Sequence, residues 1–191
     1  FSADGRFLYF SYRYGPTSTE YSRNSIGRLS LETLEPETVA RSCDAEYEAP
    51  VFSPDGRWLA FVLTRGKGIW TPDELRRMPA AEYWRSSRQI AFLSTSESSL
   101  DQATYVADAR RSGKFWPIFS KDSRYLYYVH NTALTATTIT RFEMSSGKIE
   151  DVFGPSSQEE VYQRRHSPEY FYSIRKVEAV ELNGRAALLI L

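Results

Sequence analysis

Three stretches of this chain repeat one phrase: Phe1-Ser-Ala-Asp-Gly-Arg-Phe-Leu-Tyr-Phe10, Phe52-Ser-Pro-Asp-Gly-Arg-Trp-Leu-Ala-Phe61 and Phe119-Ser-Lys-Asp-Ser-Arg-Tyr-Leu-Tyr-Tyr128. Their starts lie 51 and then 67 residues apart. A unit of that period, with turn and aromatic residues at fixed offsets, predicts an array of similar supersecondary units. Each copy reads as strand, tight turn, strand. Pro54 suits the first central position of a type I turn, Asp55 tolerates the second, and Gly56 accepts the left-handed backbone that follows. Asp4-Gly5 and Asp122-Ser123 hold the equivalent places in the other copies. Ser2, Ser53 and Ser120 stand where a hydroxyl can bond the turn backbone. Ser123 replaces glycine, which costs roughly 1 kcal/mol if the left-handed geometry persists there.

The strand after each turn is apolar at nearly every position, most fully in Trp58-Leu-Ala-Phe-Val-Leu63. A half-wet antiparallel strand would alternate, so both faces of this one must be covered. Antiparallel sheets stacked on either side, like the radially packed blades of a β-propeller, meet that need. Aromatic and β-branched content argues against helix.

The expected fold is therefore all-β: a partial β-propeller of three four-stranded blades, near 1–45, 46–112 and 113–156. A fourth, degenerate or incomplete blade spans 157–191, all within one propeller fragment. In that last unit His166–Ile174 keeps the Ser-Pro-acid turn, and Val177–Leu182, Asn183-Gly184 and Arg185–Leu191 read as a hairpin. Phe1 falls inside a copy of the motif and Leu191 inside an apolar strand, so neighbouring blades of a longer parent are expected.

The chain has 191 residues, 41% hydrophobic and 15% aromatic, enough for a packed core. With 24 basic and 24 acidic residues its net charge is zero, which offers no electrostatic footprint for nucleic acid. No apolar run approaches the roughly 20 residues of a membrane-spanning helix. One cysteine, Cys43, excludes an internal disulfide framework.

The phrase Phe-Ser-Pro-Asp-Gly-Arg-aromatic-Leu-Ala-Phe, preceded by Glu48-Ala-Pro50, resembles the WD-like repeat of TolB-type propellers. Related blades form the propellers of prolyl oligopeptidase and dipeptidyl peptidase relatives and occur in tricorn-like proteases and some amidohydrolases. The chain departs from that pattern at Ala3, Lys121 and Ser123. The resemblance implies a fold, a protein or peptide partner or a catalytic domain in the same parent chain, and a bacterial periplasm or cell envelope. It leaves function open, because one blade serves many proteins.

Catalytic signals are weak. No Gly-x-Ser-x-Gly elbow occurs, and His130 and His166 lack metal-ligand spacing, so structural or solvent-facing roles are expected of both. Asp4, Asp55 and Asp122 read as turn residues of separate blades, not as a metal or acid/base cluster. Arg6, Arg57 and Arg124 follow their aspartates by two positions, suited to local ion pairs or loop carbonyls. The functional alternative is a ring of charge at a channel mouth. No motif calls for a cofactor or a metal.

One segment escapes the repeat. Gly66–Ser87 interrupts the second unit between its second and third strands, with Thr71-Pro72-Asp73-Glu74 as a helix start. Insertions in arrays map to one face, often the binding face. Trp70, Leu75, Met78, Tyr83 and Trp84 give it apolar surface either to lie over its own blade or to contact a partner. Two functions follow: a noncatalytic interaction propeller, or the propeller that gates substrate to a hydrolase domain.

Overall fold

The computed structural model describes residues 1–14, 23–42, 45–65, 88–96, 102–108, 113–132, 136–153, 177–182 and 185–190. Among them there is no α-helix. Thirteen strands form four antiparallel sheets.

The first sheet holds β1 (Phe7–Tyr14), β2 (Arg23–Ser30) and β3 (Pro36–Ala40) in that order. The second runs β4 (Ala45–Phe52), β5 (Trp58–Arg65), β6 (Arg88–Ser94) and β7 (Thr104–Tyr105). The third repeats it with β8 (Lys114–Phe119), β9 (Tyr125–Thr132), β10 (Ala136–Glu143) and β11 (Ile149–Phe153). A hairpin of β12 (Val177–Leu182) and β13 (Arg185–Ile190) follows, with Leu182 opposite Arg185.

This is an all-β, partial β-propeller. Each large sheet is a meander in which sequence neighbours pair, as the short turns require. The first sheet corrects the expectation of three four-stranded blades. Among the described residues it has three strands, β1 to β3. The degenerate turn at His166–Ile174 and the insertion at 66–87 lie outside the described residues, as do Asn183 and Gly184.

The double burial read from β5 is realised side chain by side chain. Leu59, Phe61 and Leu63 point to the first sheet and pack with Ile26 and Ala40. Ala60 and Val62 point the other way, against Leu126, Tyr128 and Phe142 of the third sheet. Phe61 and Ala60, adjacent in sequence, are both fully buried on opposite faces. Period-two alternation thus survives as a division between two dry seams. Edge-to-face rings reinforce the seams: Tyr9 meets Phe52 with centroids 4.5 Å apart, and Trp58 meets Phe92 at 5.6 Å.

Candidate functional site

At one end of the sheets lie the repeat turns, and they share one hydrogen-bond network. In the second copy Gly56 N–H donates to Ser53 C=O at 2.9 Å, closing the type I turn, and Gly56 takes φ +73°. The Ser53 hydroxyl donates to Asp55 Oδ1 (2.6 Å) and accepts from Trp58 N–H (3.0 Å), while Arg57 N–H donates to the same carboxylate (3.1 Å). Ser2, Asp4, Arg6 and Phe7 repeat these bonds, as do Ser120, Asp122, Arg124 and Tyr125. Each serine-aspartate pair therefore satisfies two N–H groups that a tight turn leaves without ladder partners.

These bonds favour the ionised carboxyl. The Ser2 and Ser120 hydroxyls are the chief reason that Asp4 and Asp122 are held below the usual carboxylate range. At Asp55 burial pulls upward, but the Ser53 hydroxyl, the Arg57 N–H and the Arg57 guanidinium outweigh it and bring the group down to about 2.

The three arginines diverge. Arg57 pairs with its turn aspartate, Nε to Oδ2 at 2.6 Å. Arg124 sits 3.9 Å from Glu143 and over the Tyr125 ring, and Arg6 lies over the Phe7 ring. At this end the structure shows stacked turns, with the three aspartates each engaged by its own serine. Among the described residues no three His, Cys, Asp or Glu side chains come together as metal ligands.

The opposite end is different in kind. β5 runs away from its turn to Arg65 and β6 returns from Arg88, so the connection 66–87 leaves from this end. So do the links into β4 and β8, the first strands of their sheets. Arg88, the residue after the insertion, pairs with Glu48 of β4 at 3.2 Å and lies over the Phe115 ring at 5.1 Å. Glu48 also accepts from the Asn24 side chain of the first sheet. Next to Arg88, Gln89 accepts from Lys114 Nζ at 2.8 Å, and Lys114 is fully buried. Further into the third sheet, buried His130 has Nε2 3.8 Å from the Asp151 carboxylate, which accepts a hydrogen bond from the Thr140 hydroxyl (2.7 Å).

Polar side chains from three sheets thus line this end at the roots of the insertion. A solvent-facing His130 is ruled out by its burial. Trp70, Leu75, Met78, Tyr83 and Trp84 lie outside the described residues, as do Cys43 and His166. Sequence reading missed Asn24, Glu48, Arg88, Gln89 and Lys114. Their only signal was a charge or amide in the half of each strand that lies away from the repeat turn.

It also missed a second recurrent feature. Ala49-Pro50 in β4 and Trp116-Pro117 in β8 each interrupt the pairing register, and Ala49 and Trp116 both have left-handed backbones, φ 50° and 49°. These are bulges at the same place in two equivalent strands. Trp116 is 41% exposed.

No family model matches the chain, and no curated protein matches it. Solved structures do. A TolB-type protein from Agrobacterium tumefaciens aligns with TM-score 0.52 and 18% identity, over 80% of this chain and 47% of that one. The tricorn protease aligns at 0.59 and 10%, over 80% and 18% of the two chains. A chain of the nidogen/laminin complex gives 0.51 and 14%, over 79% and 45%. The chain therefore has the β-propeller fold of TolB-type proteins and peptidase propellers, and spans less than half the length of each of these structures.

Proposed function

We propose that this chain is a noncatalytic scaffold, TolB-like, that binds a protein or peptide at the end of the sheets away from the repeat turns. The insertion 66–87, with Trp70, Leu75, Met78, Tyr83 and Trp84, supplies the contact surface. The observation that supports this most is the anchorage of Arg88. The residue that closes the insertion is tied to Glu48 and stacked on Phe115, so the insertion leaves a fixed base at the loop end of the array. Tryptophan and tyrosine on such a base suit an interface, where they commonly act as anchors.

Selection of a random peptide library against the chain tests this. Enriched peptides are expected to lose about tenfold or more in affinity for a Trp70→Ala/Trp84→Ala variant that keeps its Tm. Unchanged affinity would remove the insertion from the proposal.

A second reading draws on the likeness to the tricorn protease. Here the same end would admit substrate to a catalytic domain elsewhere in the parent chain. A parent sequence continuing into a Gly-x-Ser-x-Gly elbow or a set of metal-binding histidines would support it. On either reading the chain alone hydrolyses neither peptides nor esters, which a panel of chromogenic substrates checks.

A further inference from the structure

We propose that the loop end of the seam between the second and third sheets binds a small monovalent anion of the chloride class, held by the Thr64 hydroxyl and Arg88 Nε. The seam changes character along its length. Toward the repeat turns β5 and β6 present Ala60, Val62, Ile90 and Phe92 to the third sheet, all within one apolar cluster. The next residues on that face are Thr64 and Arg88, directly opposite each other in the β5–β6 register, as Val62 and Ile90 are one step earlier. The third sheet changes in step. Leu126 and Tyr128 of β9 give way to His130, which has Lys114 and Thr138 opposite it on the flanking strands.

Two atoms are left over in this polar layer. Thr64 is 2% exposed, and its Oγ1 finds no hydrogen-bond partner among the described residues. The same holds for Arg88 Nε, a buried atom of a side chain that is 29% exposed as a whole. Burying such groups unpaired is costly, so a bound species that satisfies both is favoured. Directly opposite residues of a strand pair hold their Cβ atoms about 5 Å apart, so one small ligand can reach both.

The donor chemistry selects the ligand. Glu48 engages Arg88 through Nη2, which leaves Nε for something else, and the Phe115 ring under the guanidinium fixes its plane. Nε can only donate, and the threonine hydroxyl is free to do so. Lys114, fully buried across the seam and bonded to the neutral Gln89 amide, is also donor-only and adds positive potential. A water accepting from Thr64 and Arg88 would bring two protons of its own toward an ammonium and a guanidinium. An anion brings none. His130 has its own carboxylate, Asp151, beside it on the outer-strand side. The burial of Thr64 admits a bare ion and not the carboxylate of a peptide, which separates this site from the partner surface proposed above.

Thermal denaturation of the chain in sodium chloride and in sodium gluconate at equal ionic strength tests this. Chloride near saturation is expected to raise Tm by about 3 °C over gluconate. The gain is expected to vanish in Thr64→Val, which keeps the shape and removes the hydroxyl, and to persist in Thr64→Ser. Equal Tm in both salts would give the place to water, and an undiminished gain in Thr64→Val would put the ion elsewhere; either result overturns the proposal. Should the valine variant fail to fold, crystals of the unsubstituted chain grown in bromide decide. An anomalous peak within hydrogen-bond reach of Thr64 Oγ1 and Arg88 Nε is expected, and a map without one there overturns the assignment.

Discussion

The backbone N–H of Asp55 donates to the hydroxyl of Ser123, 3.1 Å away and 68 positions along the chain. Ser123 stands where the other copies have glycine, and it keeps the left-handed backbone at φ 59°. Its hydroxyl therefore joins the turn of the second sheet to that of the third, and the strain is offset by a bond that glycine cannot make. Ser123 is 3% exposed, so the acceptor works out of competition with water. Ser123→Ala keeps the strain and loses the bond, a cost of about 1 kcal/mol. Ser123→Gly loses the bond but relieves the strain, and is expected within about 1 kcal/mol of the parent. Urea denaturation of both variants checks the order, alanine below glycine.

The turns of the first and second sheets also touch. A Cβ added at Gly56 would lie 2.8 Å from the Cβ of Ala3, whereas one added at Gly5 would meet nothing within 4 Å. Both glycines have positive φ, +73° and +69°. Gly5→Ala is thus expected to cost about 1 kcal/mol, the backbone term alone. Gly56→Ala adds a clash against a side chain that cannot rotate away, and roughly 2 kcal/mol or more is expected. Restoring the loss with Ala3→Gly in the same chain would identify the contact, and denaturation of the double variant reads it out.

The Asp55 carboxyl titrates from 3.8 in its ordinary state to about 2 in the fold. Its folded pKa is depressed, so its contribution is complete above the unfolded value and is lost as pH falls through the folded one. Asp4 and Asp122 shift in the same direction. Stability is expected to be flat with respect to these groups above about pH 5 and to fall between about pH 4 and 2. Asp55→Asn should lower stability at neutral pH and shallow that acid limb. An acid limb as steep as the parent's would show that other carboxylates govern it.

What the sequence disclosed and what it withheld divide along physical lines. The turns were legible residue by residue, because Ser53, Pro54, Asp55 and Gly56 act on backbone within five positions of themselves. The double burial of β5 was legible because an unbroken apolar run beside a hairpin turn leaves neither face of the strand fit for water. The bulges at Ala49 and Trp116 were not: an Ala-Pro or Trp-Pro pair is compatible with many loops, and only strand pairing makes it a register shift. The polar contacts of Arg88 with Glu48 and of Lys114 with Gln89 were hidden for a related reason. The first spans two strands of one sheet that are not hydrogen-bonded neighbours, and the second joins two sheets, so both depend on how strands and sheets are arranged in space.

Phe61 tests whether the seams carry the array. It is fully buried, packs within the cluster that joins the first and second sheets, and lies 5.9 Å from the Tyr47 ring, edge to face. Phe61→Ala is expected to cost about 3–5 kcal/mol, a transfer loss plus a cavity that two stiff sheets cannot close. The damage should be local in its first effect, because units of an array contact chiefly their neighbours. Hydrogen exchange is therefore expected to speed up in β1, β2 and β5 before it does in β9 and β10, whose seam is built on Ala60, Val62 and Tyr128. Uniform acceleration across both seams would mean that the sheets unfold as one cooperative body and not as stacked units.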